Sequence, residues 1–155
     1  MKPTTYAVAV IVSNPENCKE FLLVKRPLNG PVPGIWGLPA VTLKLGELPE
    51  DGVRRVGTEK LGCKIVPFEF VGSAVQERSD AFLQILDYKV KVAAGQPDVR
   101  KAVTVGTKYV DQKWTSDPKE MLPGATAGSL CEQIFLNSLG LWKKELIAKL
   151  LHERV

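Results

Sequence analysis

The sequence predicts a mixed domain, α+β or an α/β sandwich, on three observations. Apolar, β-branched runs separated by turn clusters fill most of its first two-thirds. One helix with clear start and stop signals interrupts them, and helical patterning takes over after Asp117. The 155 residues suit one compact domain, 1–155, and contain no repeat, low-complexity tract or linker that marks a second.

Residues 5 to 13, Thr-Tyr-Ala-Val-Ala-Val-Ile-Val-Ser, read as a buried strand bounded by Asn14-Pro15. Glu20 to Arg26 reads as a second strand, reached through a polar turn. Pro27 to Gly34 holds three prolines and two glycines, so it is a loop. Ile35 to Leu45 has strand-like stretches broken by Pro39.

Pro49 to Leu61 reads as a helix. Proline suits a first helical turn, Glu50 and Asp51 complement the N-terminal dipole, and Gly62 supplies a stop. Its apolar face, Val53, Val56 and Leu61, is thin. Lys64 to Val75 and Ala81 to Val92 follow as strands joined through 76–80, and Val103 to Trp114 as a last one. Asp117-Pro118 can cap a short turn through Leu122. Helices are expected over Thr126 to Leu139 and Leu141 to His152, the latter with Leu141, Leu146 and Leu150 as an apolar stripe against lysines.

Composition excludes several chemistries. An apolar share of 45% and a charged share of 25% match an ordinary globular protein. Cys18, Cys63 and Cys131 are widely spaced, which supports neither a zinc site nor a disulfide framework and suits a reducing cytoplasm. The apolar run Ala7 to Val12 is too short to span a membrane. The single histidine, His152, sits near the C-terminus, so no Ser/His or Cys/His dyad is available. A net charge of +4 is compatible with an anionic ligand and does not require one.

One segment carries more information. Trp36-Gly37-Leu38-Pro39 is followed by Glu47, Arg55, Glu59 and Gly62-Cys63. These residues resemble the Nudix box, G-x5-E-x7-R-E-U-x-E-E-x-G-U with U bulky and aliphatic, behind its W-x-L-P lead-in. Lys113-Trp114-Thr115 and the turn to Leu122 resemble the family's downstream elements, so the likeness extends to about Leu122. The resemblance, to MutT-like Nudix hydrolases, implies an α/β/α sandwich with a mixed central sheet and the box helix on one face. It implies a nucleotide-type substrate, a nucleoside diphosphate linked to another moiety, and Mg2+ or Mn2+ as cofactor. It assigns Glu59 to metal and Glu47 and Arg55 to the brace of loop against helix. From the residues themselves, Arg26 is a candidate phosphate contact or an exposed strand end, Trp36 a base-stacking ring or a core-edge filler, and Lys60 a cation facing an anionic substrate.

Carboxylates at i, i+3 and i+4 share one face of a helix, as a hard cation needs. Here those positions are Val56, Glu59 and Lys60, Val41 stands at the box's leading glycine, and Gly57 at its aliphatic. The box is therefore degenerate on its metal-facing side. Two readings follow: a metal-dependent hydrolase of weakened or lost activity, and an inactive module binding a nucleotide, RNA or protein. In the second, Lys60 substitutes for the metal's charge. Glu77 and Asp80 are outside carboxylates able to assist, though charges in such turns more often serve as solvated turn residues, and Glu59 is equally an i, i+4 partner of Arg55. A homodimer through the C-terminal helix is a further expectation.

Overall fold

In a computed structural model, which describes residues 1–30, 32–104 and 106–143, seven strands form one mixed sheet with helices on both faces. Strands β1 (Thr4–Asn14), β2 (Asn17–Lys25), β3 (Trp36–Gly37), β4 (Ala40–Thr42), β5 (Lys64–Glu77), β6 (Phe82–Ala94) and β7 (Asp111–Thr115) follow in chain order. Spatially the sheet runs β3-β2-β1-β6-β5, with β4 paired to β1 and β7 to β2.

The central strand explains itself. Residues 7–12 of β1 are all buried, because β6 pairs with it in parallel on one edge while β4 and β2 pair antiparallel on the other. A strand covered on both faces needs a continuous apolar run rather than alternation. Its pleat still divides the core. Ala7, Ala9 and Ile11 join one cluster with Phe21, Leu23, Ile134 and Phe135. Val8, Val10 and Val12 join the other with Val53, Val56 and Leu61.

The box helix differs from the expected single run over 49–61. Helix α1 (Pro49–Val56) passes into a wider, π-type turn over Gly57–Leu61. Gly57 forces the change in packing: a Cβ there would lie 2.7 Å from the Cys63 carbonyl oxygen and 2.8 Å from Ile65. The incoming strand β5 thus runs directly over the position at which the box has an aliphatic. Gly62 closes the turn in the left-handed conformation, φ 60°. The thin apolar face is fully used, with Val53, Val56 and Leu61 inaccessible to solvent.

Three other expectations change. The last strand covers only Asp111–Thr115; Val99–Lys101 is a short 3-10 turn, and 102–110 is irregular where described. The expected helix 126–139 begins only at Leu130, as α3 (Leu130–Ser138), and a separate short helix, α2 (Leu122–Thr126), precedes it across Gly128-Ser129. Gly128 has φ 97°, a conformation that ends one helix before Ser129 precedes the next. Leu141 to Lys143 is not helical, and the rest of the expected C-terminal helix, with His152, lies outside the described residues. Among the described residues no helix is long and apolar enough to cross a membrane.

Candidate functional site

The loop after β4 and the helix that follows are tied together by Arg55. Its Nε and Nη2 donate to the two oxygens of Glu47 at 2.9 Å each, and Nη2 also reaches the Thr42 carbonyl at 2.7 Å. Its Nη1 meets both Glu59 oxygens, at 3.1 and 3.2 Å. Glu47 in turn accepts from the Lys44 amide at 3.0 Å. Three parts of the segment, Thr42, Glu47 and Glu59, thereby share one guanidinium, whose planar fork suits two carboxylates at once. The Arg55 hydrogen bonds hold the Glu47 carboxyl below its ordinary range and push the Arg55 guanidinium higher still.

Lys60 does not project into solvent. Its residue is 5% exposed; its ammonium donates to the Thr107 carbonyl and sits 5.5 Å from the centre of the Tyr109 ring. Burial lowers the Lys60 amine below its usual range. Glu59 opposes that shift, while the cations of Arg26 and Arg55 add to it. Tyr109 anchors the same loop against β4, its hydroxyl accepting from the Ala40 amide at 2.9 Å. Burial raises the Tyr109 phenol to about 12. Beside this loop lies a cleft of 650 Å3 bordered by Pro27, Asn29, Arg100, Thr107, Lys108 and Tyr109.

The other expected residues separate into two groups. Arg26 directly follows β2 and lies close enough for its charge to act on Lys60, Tyr109 and Glu132. Trp36 is half-buried on β3, with the Lys113 ammonium 4.4 Å and that of Lys25 5.9 Å from its ring. Trp36 thus neighbours cations, which neutralise part of its use as a free stacking face. Glu77 bonds Lys2 at 2.8 Å, and Asp80 is exposed in the β5–β6 turn.

The donors do not fit a bound divalent cation. Such an ion needs several oxygen ligands converging on one point. Val56 is buried, Lys60 is cationic, and both Glu59 oxygens face Arg55. Among the described residues no group of three or more His, Cys, Asp or Glu side chains could hold a metal ion.

A buried acidic cluster beneath α3 was not anticipated. Asp87 and Glu132 are 0% and 1% exposed, and both Asp87 oxygens and Glu132 Oε1 have no hydrogen-bond partner among the described residues. Glu132 Oε2 accepts from Ser129 at 2.8 Å and from the Cys131 thiol. Burial raises both carboxyls, and Glu132 adds to the rise at Asp87. The Glu132 carboxyl fills the space above Gly37, where a Cβ would come within 2.1 Å of Oε1. One sequence signal pointed here: an aspartate inside the apolar run Ile85-Leu86-Asp87-Tyr88.

Comparison with known proteins agrees with this architecture. The NUDIX domain model matches residues 3–119. The E. coli ORF135 protein superposes with a TM-score of 0.66 at 21% identity, over 88% of this chain and 91% of that one. The MutT protein from Methanosarcina mazei Go1 gives 0.64 at 21% identity, over 90% and 95%. A NUDIX hydrolase from Nitrosomonas europaea gives 0.58 at 18% identity, over 98% and 88%. None of the curated proteins matches the chain. With a family model spanning three-quarters of its length over a mixed sheet and a braced loop and helix, the chain belongs to the Nudix family.

Proposed function

We propose that the chain binds a phosphate-bearing, nucleotide-type small molecule in the cleft beside Lys60, with positive side chains rather than a metal ion offsetting the phosphate charge. One observation carries this reading. Of the three helix positions at which carboxylates would share a cation, one is the buried ammonium of Lys60, and the surviving acid, Glu59, has both oxygens on Arg55. The charges of Arg26 and Arg55 both act on Lys60, so an anion drawn near Lys60 relieves a repulsion already present. Thr107 and Tyr109 link Lys60 to the rim of the 650 Å3 cleft, and Lys108 lies exposed on that rim. Such a volume accommodates a drug-sized ligand.

Family membership favours a second reading, hydrolysis of a nucleoside diphosphate linked to another moiety with Mg2+ or Mn2+. Calorimetric titration with ADP and ADP-ribose, with and without EDTA, separates the two. Under the first reading binding survives EDTA, no phosphate or mononucleotide is released, and Lys60→Met weakens affinity about tenfold, ~1.4 kcal/mol. Metal-dependent product release, lost in Glu59→Gln, overturns it in favour of hydrolysis.

A further inference from the structure

A second cleft of 650 Å3 opens where the β1–β2 turn, β5, β6 and the end of α3 meet. It shares no lining residue with the cleft beside Lys60. Its floor is aromatic: Phe21 and Phe135 meet edge to face with ring centres 5.3 Å apart, and are 8% and 4% exposed. Phe68 forms one wall and remains 48% exposed, with the Lys91 ammonium 5.0 Å from its ring centre. A half-exposed phenylalanine beside an aromatic floor is apolar surface left in contact with water.

The charge lining that surface is mainly positive. Lys19, Lys89 and Lys91 line the cleft against a single acid, Glu20, whose carboxylate accepts from Asn14 at 2.8 Å. Lys89 is 3.4 Å from Glu69, an exposed residue outside the lining. Lys19 and Lys91 form no ion pair among the described residues. An apolar floor with a cationic rim is complementary to a molecule that has an apolar body and an acidic end.

We propose that this cleft is a binding site for a small amphipathic anion, its apolar body on the Phe21–Phe135 floor beside Phe68 and its acidic group among Lys19, Lys89 and Lys91. Ring contact supplies the hydrophobic term, and the lysines select against cationic and neutral molecules of the same shape. The site is independent of the box, so its failure says nothing about ligand binding beside Lys60.

The test is a fluorescence titration of the full chain with 8-anilinonaphthalene-1-sulfonate, followed by displacement. The expected result is saturable binding at one molecule per chain, displaced by decanoate far better than by decylamine. The variants K89E/K91E and Phe68→Ser should each weaken it at least tenfold while the thermal transition is retained. Three results overturn the proposal: no saturable binding, equal displacement by decylamine, or affinity unchanged in K89E/K91E. Should K89E/K91E fail to fold, Phe68→Ser and the decanoate–decylamine comparison decide it, with affinity unchanged in Phe68→Ser counting against the site.

Discussion

At the scale of single residues, Arg55 is the hub of the box. Its guanidinium satisfies two carboxylates and a backbone carbonyl, and the side chains of Glu47 and Arg55 are only 13% and 16% exposed. Replacing Glu47 by glutamine should cost ~1–3 kcal/mol in urea unfolding at neutral pH, because it leaves a mostly buried cation with one weaker partner. The same pair has a defined pH signature. Arg55 holds Glu47 below its ordinary value of 4.5, so the contribution is complete above that pH and is lost as pH falls through the lower folded-state value. Acid unfolding curves should therefore lose less stability in Glu47→Gln than in the wild type; an identical acid limb would remove Glu47 from the account. That brace was readable from the sequence, because both partners stand at family spacing. What Lys60 touches was not readable, since Thr107 and Tyr109 lie 47 and 49 positions away and meet it only when the 106–109 loop folds back.

At the scale of elements, one residue changes the box helix. Gly57 lets β5 cross the helix end at a distance no side chain permits, and the turn widens to keep Leu61 in the core. Gly57→Ala should destabilise the domain by ~2–4 kcal/mol, because a backbone carbonyl at 2.7 Å cannot move aside as a side chain can. A thermal melt within 1 °C of wild type would show that β5 shifts freely. The helix itself was legible from Pro49, the acidic first turn and Gly62. Its change of winding was not, because the cause is a strand that only tertiary packing brings there. The break between α2 and α3 had a weak local sign in Gly128-Ser129, whereas the described residues of 103–110 include apolar side chains yet form no strand.

At the scale of the whole molecule, two buried carboxyls lie between the sheet and α3. Their folded-state values are raised, so the native protein holds protons that the unfolded chain releases. Their cost is absent below the ordinary carboxylate range and grows as pH rises through it, opposite in sign to Glu47. Asp87→Asn keeps a neutral group of the same shape and should raise stability at pH 8 relative to pH 4, by ~2 kcal/mol in the difference. A parallel shift at both pH values, read by chemical denaturation, would show that Asp87 does not titrate differently on folding. The sequence by itself determined the run of core strands and the start and stop of the box helix, because each rests on local periodicity or on terminal residues, and its resemblance to the Nudix box pointed to the Glu47–Arg55 pair. Tertiary structure alone decided that Lys60 is sealed beneath the 106–109 loop. It also decided that Asp87 and Glu132 share one core and that Glu59 faces a cation. Those are meetings of residues far apart in the chain, and the energies that settle them, desolvation and charge pairing, exist only once the layers have closed.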